Sequence, residues 1–460
     1  MAPLYFAPWI PDGADPFDRR KAAHLLRRAG FGAAPEDVTE AVEKGLEATV
    51  DGLFDEAEDQ ESEFRKTFEA VSSSLVDFGE PEQARAWWLY RMARTRTPLR
   101  EKLTLFWHGH FATSVAKVED TNLMLRQVET LRRLAWGSVR ELVLAIARDP
   151  AMLVWLDGES STKEHANENF ARELMELFTL GIGNYTEADV QAAARAFTGW
   201  HRDGAEFVFH PDDHDTGPKR FLGKTGKFDG NDVIAIILQQ PAAPRFLAGK
   251  LLRFFATPEP GEDVLAEAAD ALNRTQLDVK WFLRDLFLSR YFYSTDCLRK
   301  RISSPAELVV GTVRTLRPRW PSGAMAEQLE PMGQSLLAPP DVKGWDGEKA
   351  WINETTFAAR TEFARTVSSL EDDNPLGSHL DVARVVPDAE KDPAAIVSLL
   401  AEVLLQGDLP AEPRGALAKA LVLDGAAPAP DKFGDDDGFR KAKVREAIAT
   451  LLGMPESWIY

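Results

Sequence analysis

The sequence predicts a mainly α-helical protein, because its apolar residues recur mostly at helical spacing and helix-boundary signals are frequent. Pro98 stands at the start of one such segment, where a proline suits the first helical turn. Thr186 and Asp189 have the spacing of a capping box at the start of another. Pro150 and Pro241 each divide an apolar stretch into two predicted helices. Most of the chain is therefore expected to fold as packed helices.

Strand signals are few, and they predict one small β-hairpin over residues 206–222, with turn-forming residues in its middle. A polar link that contains proline and glycine runs from Glu371 to Pro387. Two apolar segments after this link predict a small helical C-terminal region. The expected organisation is a large helical domain over residues 1–370, followed by a linker and C-terminal helices over residues 371–460.

Length and charge limit the classes of function. The chain has 460 residues, 73 acidic side chains against 54 basic ones, and a net charge of −19. Such an acidic protein is not expected to bind nucleic acid or to coat an anionic membrane. No apolar stretch is long enough for a transmembrane helix, and the N-terminus lacks the pattern of a signal peptide. We therefore expect a soluble protein without membrane insertion, cytoplasmic by default. The single cysteine, Cys297, excludes a cysteine metal cluster.

A polar stripe in the segment NENFARELMELFTLG is the first candidate site. On a helix, Asn169, Glu173 and Glu176 share one face, whereas the apolar residues share another. An ion ladder of Glu168, Arg172 and Glu176 explains part of the stripe without any function. Glu173 has no basic residue three or four positions away, so its carboxylate needs a tertiary partner, a proton or a metal ion.

Two histidine-containing segments add further metal-capable side chains. His108 and His110 in FWHGHF would point apart on a continuous helix, and would converge only if Gly109 allowed an extended turn. The loop HPDDHDTG carries His214 and Asp215 among other acidic groups. Packed, hydrogen-bonded histidines and a solvated polar loop are the alternative interpretations.

The sequence lacks the motifs of several common enzyme classes, including G-x-S-x-G, the P-loop, G-x-G-x-x-G, H-E-x-x-H and C-x-x-C. The remaining theme is mixed histidine and carboxylate ligation, which suits Zn, Mn or Fe. The enzyme hypothesis is a metal-dependent hydrolase or oxidoreductase, in which the ion polarises an oxygen or activates water. The candidate metal ligands are His108, His110, Glu173, His214 and Asp215, and the candidate catalytic or substrate-orienting groups are Glu173, Asn169 and Arg195.

The alternative hypothesis is a non-catalytic helical binding or assembly partner. In that case the histidines would be structural, the glutamates would form ion pairs, and the acidic surface would serve solubility. The two hypotheses differ in one geometric respect. Convergence of His108, His110, Glu173 and His214 in one cavity favours an enzyme, whereas scattered burial favours a structural role.

Eight segments follow one another along the chain: HLLRRAGFG, FWHGHFATS, RDPAMLVWLDG, NENFARELMELFTLGIGNYTEADV, AARAFTGW, HDTGPKRFLGKTGKFDGNDVI, QPAAPRFLAGKLLRFF and PPDVKGWDGEKAWIN. Together they resemble the bacterial family called "domain of unknown function 1800". They extend from His24 to Asn353, and the tail after Glu371 is less distinct. The resemblance implies a large, mainly helical domain and carries no established activity.

The resemblance also implies a partner. Members of this family are often encoded beside a "domain of unknown function 1501" protein, which resembles phosphatases and sulfatases and often has a twin-arginine export signal. A phosphatase- or sulfatase-like partner, and export together with it, are therefore expectations for this chain. Finding the protein only in the cytosol by cell fractionation would contradict export.

Overall fold

The computed structural model describes residues 5–55, 79–370 and 378–460, and the protein is mainly α-helical in these ranges. They contain 22 α-helices, one π-helix and three two-stranded antiparallel sheets, which confirms the predicted fold class. Every helix described there is too short or too polar to cross a lipid bilayer. Residues 371–377, at the start of the predicted link, lie outside the described ranges.

The helices are distributed along the whole described chain. The α-helices are Arg19–Arg28, Pro35–Lys44, Leu46–Gly52, Pro81–Arg94, Pro98–His110, Val115–Val118, Thr121–Arg133, Val139–Ala147, Pro150–Trp155, Asn169–Glu173, Glu187–Phe197, Gly230–Leu238, Ala242–Phe255, Glu262–Arg274, Val279–Leu288, Pro305–Leu316, Ser322–Ala326, Glu354–Ser368, Pro393–Leu405, Ala411–Leu421, Pro430–Asp435 and Asp437–Gly453. The π-helix is Leu174–Thr179, and the strands are Trp200–Asp203, Glu206–Phe209, Lys219–Phe221, Lys224–Gly226, Leu423–Asp424 and Ala427–Pro428.

The helix boundaries expected at prolines and at the capping box are confirmed. Pro98 is the first residue of its helix. The Thr186 hydroxyl accepts a hydrogen bond from the Asp189 N–H at 3.3 Å, and the Asp189 carboxylate accepts one from the Thr186 N–H at 2.9 Å. Pro150 opens a new helix after Val139–Ala147. These boundaries could be predicted because they depend on neighbours in sequence.

The predicted hairpin over residues 206–222 is wrong in its pairing. Glu206–Phe209 pairs with the preceding strand Trp200–Asp203, and Lys219–Phe221 pairs with the following strand Lys224–Gly226. Each pair is closed by a two-residue turn that contains a glycine with φ of +57° or +79°. Such tight turns match the twist of adjacent strands, so each strand pairs with its nearest neighbour.

Two groups of buried apolar residues form the interior. The first lies between residues 6 and 297. The second joins Pro305–Leu316 to the C-terminal helices Pro393–Leu405 and Asp437–Gly453. The helix Glu354–Ser368 also packs against Asp437–Gly453. The C-terminal helices therefore share a core with earlier parts of the chain, and the division into two domains stays a prediction.

A close backbone contact covers the C-terminal end of the helix Pro98–His110. A Cβ atom added at Gly344 would stand 2.2 Å from the Gly109 carbonyl oxygen. The adjacent Trp345 ring lies 5.7 Å from the His108 ring, centroid to centroid. Only glycine at position 344 therefore allows this loop to rest on the helix end.

We expect Gly344→Ala to lower the free energy of unfolding by about 2–3 kcal/mol, since the new Cβ meets the Gly109 carbonyl and the backbone has a positive φ. Gly347→Ala is the matched control, because φ is also positive there (+76°) but the nearest atom is 3.9 Å away. It should cost only about 1 kcal/mol. Chemical denaturation measures both, and equal losses would contradict the importance of the contact.

Candidate metal centre

His108 is buried, and its ring packs against Trp88 and Trp345. Its Nε2 accepts a hydrogen bond from the Leu337 N–H at 3.2 Å. Burial lowers the pKa of His108 to about 4, so the imidazole is neutral at pH 7. The nitrogen that could bind an ion is therefore already used by the backbone.

His110 is also buried, and its ring lies among Phe106, Phe111 and Phe178. Its Nε2 donates a hydrogen bond to the Phe178 carbonyl oxygen at 3.0 Å. Burial, and secondarily the charge of Lys250, lowers the pKa of His110 to about 3. The helix continues through His110, so the extended turn at Gly109 does not form and the two imidazoles have separate partners.

The polar stripe divides into an exposed part and a half-buried part. The Asn169 side chain is exposed, and its Nδ2 donates to Asp157 Oδ2 at 3.3 Å. Glu173 is half-buried, and burial together with the nearby Glu176 carboxylate raises its pKa. The Tyr185 hydroxyl donates to Glu176 Oε2 at 2.6 Å. The described chain offers the Glu173 carboxylate no hydrogen bond or ion pair.

The ion ladder expected in this stripe is correct for one partner and wrong for the other. Arg172 pairs with Glu168 at 3.1 Å and with Glu187 at 2.7 Å, and Glu176 bonds to a tyrosine instead. The reason is the π-helix Leu174–Thr179, which starts directly after Glu173 and contains Glu176. Its wider turn moves Glu176 away from the position that an α-helix would give it.

Arg195 and Asp215 form a bidentate ion pair, with Nε–Oδ2 at 2.6 Å and Nη2–Oδ1 at 3.2 Å. Asp215 Oδ1 also accepts the Gly217 N–H at 2.8 Å, and the Arg195 guanidinium lowers the pKa of the carboxyl. The neighbouring His214 donates from Nδ1 to the Thr198 carbonyl oxygen at 2.9 Å. These groups hold the loop to the end of the preceding helix.

A different set of three side chains brings metal-capable atoms together. His201 Nε2 lies 3.1 Å from Asp213 Oδ2, and His210 Nδ1 lies 3.5 Å from the same oxygen. The two imidazole centroids are 4.6 Å apart. In the part of the chain that the structure describes, this is the one group of three or more His, Cys, Asp or Glu side chains whose ligand atoms all lie within 4.8 Å of one another. We call it the His-His-Asp cluster.

Local backbone geometry places the cluster. His201 lies on the first strand of a hairpin, His210 directly follows the second strand, and Asp213 ends a short 3₁₀ turn. The His210 N–H donates to the Gly199 carbonyl oxygen at 2.8 Å. Gly199 has φ of +77°, and a Cβ there would stand 2.5 Å from the His210 carbonyl oxygen. Glycine at this position therefore lets the two ends of the hairpin approach.

Neighbouring groups fix the orientation of the cluster. His201 Nδ1 lies 2.7 Å from the Glu159 carbonyl oxygen, which can only accept, so Nδ1 carries the proton. Nε2 then faces Asp213 Oδ2 at 3.1 Å, and a metal ion bound between the two atoms would take the place of the proton that they share. Arg202 Nε donates to Glu159 Oε2 at 2.6 Å, and the Lys163 N–H donates to the Asp213 carbonyl oxygen at 2.7 Å. Adjacent segments thus hold the His201 imidazole and the backbone of Asp213 in place.

The asparagines of the polar stripe support the same turn. Asn167 Nδ2 donates to the Asp157 carbonyl oxygen at 3.0 Å, and its N–H donates to Ser161 Oγ at 3.1 Å. Asn169 binds the Asp157 carboxylate. Glu159, which orients the His201 imidazole, lies between Asp157 and Ser161 in the chain. The stripe therefore contacts the turn beside the cluster.

The candidate ligands taken from the sequence and the His-His-Asp cluster are different residues. The cluster contains none of His108, His110, Glu173, His214 and Asp215. The loop HPDDHDTG carries two of its three members, and sequence reasoning misses His201. The sequence feature that could have indicated His201 is Gly204, because a tight turn at this glycine brings the first strand back beside that loop.

Comparison with known proteins gives a family and no further relative. The family described as "Protein of unknown function (DUF1800)" matches residues 24–459. This match extends over the C-terminal helices, beyond the last of the eight segments at Asn353. No curated protein and no solved structure matches the chain. The chain belongs to the DUF1800 family.

Proposed function

We propose that this protein is a divalent-metal-dependent enzyme, a hydrolase or an oxidoreductase, whose ion is held by His201, His210 and Asp213. The observation that carries the proposal is the approach of two imidazole nitrogens and a carboxylate oxygen to within 4.8 Å of one another. Two histidines and one carboxylate are a ligand set used by catalytic zinc sites and by non-haem iron oxygenases. Three protein ligands leave a coordination position for water or substrate.

The exposure of the cluster favours a reactive site over a structural one. His210 is exposed, and His201 and Asp213 are half-buried. A structural zinc site is normally closed by four protein ligands, whereas an open one can admit a substrate. The hydrogen bond from His201 Nδ1 to a backbone carbonyl supports this interpretation, since such bonds orient metal-binding imidazoles.

The identity of the metal would separate the two reaction classes. A bound zinc or manganese ion acts as a Lewis acid and lowers the pKa of a coordinated water, which suits hydrolysis. A 2-His-1-carboxylate site with iron suits oxygen chemistry. Hydrolysis of an ester or phosphate-ester probe by the zinc-loaded protein, absent from His201→Ala, would favour the hydrolase.

Elemental analysis of protein purified without a histidine tag tests the metal site. We expect about one Zn, Mn or Fe ion per chain in the wild type, and His201→Ala should weaken metal binding by about tenfold or more. His165→Ala is the matched control, because His165 is an exposed histidine close in the chain to the Glu159 turn and outside the cluster. It should retain the ion.

Two results would contradict the proposal. A His108→Ala/Glu173→Ala protein that loses the metal, while His201→Ala keeps it, would favour the ligands expected from the sequence. No binding of Zn, Mn or Fe by any of these folded proteins would favour the helical assembly partner. A pull-down with the phosphatase-like neighbour would then be the next test.

A further inference from the structure

A cavity of about 370 Å³ lies outside the His-His-Asp cluster and shares no residue with it. It is formed by the helices Arg19–Arg28 and Pro35–Lys44 and by the end of Pro393–Leu405. Its volume falls in the range of small-molecule sites in proteins. The cavity therefore has the size to hold a small organic ligand.

The cavity carries one cation without a carboxylate partner. Arg19 pairs with Glu402, and Arg20 pairs with Asp408 at 2.7 Å, so the charges at the rim are compensated. Arg27 donates from Nη2 to the Val403 carbonyl oxygen at 2.5 Å, and no carboxylate in the described chain forms an ion pair with it. Although the protein has a net charge of −19, Arg27 is therefore a group in this cavity that would attract an anion.

A buried amide without partners stands at the wall of the same cavity. The side chain of Gln406 is 3% exposed, and neither its Oε1 nor its Nε2 has a hydrogen-bond partner. An unsatisfied buried amide costs about 1–3 kcal/mol. A ligand that presents both an N–H and a carbonyl oxygen to Gln406 would remove this cost.

Asp18 also lines the cavity, and its carboxylate caps the helix Arg19–Arg28 by accepting the Lys21 N–H at 3.0 Å. The other lining residues are small aliphatic side chains and one proline, without an aromatic ring: Ala23, Ala33, Pro35, Val38 and Val403. Such a surface suits a branched aliphatic group of modest size. The cavity thus combines an anion-binding guanidinium, an amide in need of partners and an aliphatic wall.

We propose that this cavity binds N-acylated amino acids or short peptides with an aliphatic side chain and a free carboxylate. The carboxylate would bind Arg27, the acyl amide would bind Gln406, and the side chain would pack on the aliphatic wall. Arg27 offers the planar donor pair that a carboxylate accepts in bidentate fashion. Occupation of this cavity requires no metal.

Titration calorimetry with N-acetyl-L-leucine tests the proposal, and N-acetyl-L-leucinamide is the matched probe that lacks the negative charge. We expect saturable 1:1 binding of the acid and at least about tenfold weaker binding of the amide. Ala23→Phe, which fills the cavity, should abolish binding. Gln406→Met keeps the side-chain length and removes the amide, and should weaken binding about fivefold or more.

Arg27→Met removes the charge while keeping the apolar stem, and should bring the affinity for the acid down to that for the amide. If this variant fails to fold, the difference between the two probes on the wild type still tests the charge. No binding of the acid at 10 mM would overturn the proposal, and so would equal binding of both probes or full binding by Ala23→Phe. His201→Ala should bind the acid as the wild type does, because the cavity and the His-His-Asp cluster share no residue. This measurement separates the cavity proposal from the metal-site proposal.

Discussion

Replacing Glu307 by glutamine should lower the free energy of unfolding by about 3–5 kcal/mol, the largest loss that we expect from a single charge removal in this chain. Glu307 is fully buried, with Lys102 Nζ 2.6 Å and Arg301 Nη1 3.0 Å from its Oε1. Burial alone would raise the pKa of Glu307, but Arg301 and Lys102 outweigh it and lower the pKa. Glutamine would leave three cations, Lys102, Arg301 and Arg28, with Glu348 as the one remaining carboxylate of this group.

Removing a cation from the same group should lower the free energy of unfolding much less than removing the Glu307 carboxylate. Lys102→Met removes one cation from a group in which Lys102, Arg301 and Arg28 face Glu307 and Glu348, and it leaves two charges of each sign. Burial already lowers the pKa of Lys102 to about 8. We expect a loss below about 2 kcal/mol.

Urea denaturation of the two variants and of the double variant measures this asymmetry. In the double variant, Lys102→Met should recover part of the stability lost in Glu307→Gln, because it removes one of the unpaired cations. Equal losses from the two single changes, or no coupling between them, would contradict this account of the cluster.

The second large effect is a loss of stability in acid that depends on His110. Its pKa falls from 6.5 to about 3 on folding, mainly because burial disfavours the imidazolium. The folded protein therefore binds fewer protons than the unfolded chain below pH 6.5. The stability that the neutral, buried His110 contributes is fully present above pH 6.5 and declines as the pH falls toward 3. Between pH 7 and pH 4.5 the loss amounts to about 2.5 kcal/mol.

His110→Gln isolates this effect. Glutamine can keep a donor for the Phe178 carbonyl oxygen and does not titrate. Unfolding free energies at several pH values should show that the loss of stability between pH 7 and pH 4.5 is smaller by about 2.5 kcal/mol in the variant, whatever the variant loses at pH 7. The same change at the exposed His165 is the control. An unaltered pH dependence in His110→Gln would show that other groups dominate.

The sequence predicts helices well here because their signals are local. Pro98 at a first turn and the Thr186–Asp189 capping box act within a few residues, and both mark observed helix starts. The hairpin pairing could not be obtained in the same way, because two alternative pairings use the same strands. The choice is made by the positive φ of Gly204 and Gly223, which close short turns.

The contacts of the candidate site residues are less predictable. The pattern of FWHGHF is compatible with packed or with metal-binding histidines, and only the tertiary structure reveals that Leu337 and Phe178 supply partners. The π-helix after Glu173 has no clear sequence signal and moves Glu176 to Tyr185. The His-His-Asp cluster likewise depends on a strand pairing that the sequence leaves open.

The His-His-Asp cluster occupies one short stretch of chain, from His201 to Asp213, and this has a consequence for thermodynamic linkage. A metal stabilises a fold only to the extent that it binds the native state better than the unfolded one. Ligands that are close in sequence can still chelate an ion after the helices have separated. An ion held there would therefore raise the melting temperature less than its affinity for the native protein alone implies. The same local arrangement would let the growing polypeptide bind the ion before the helices that follow Asp213 are synthesised.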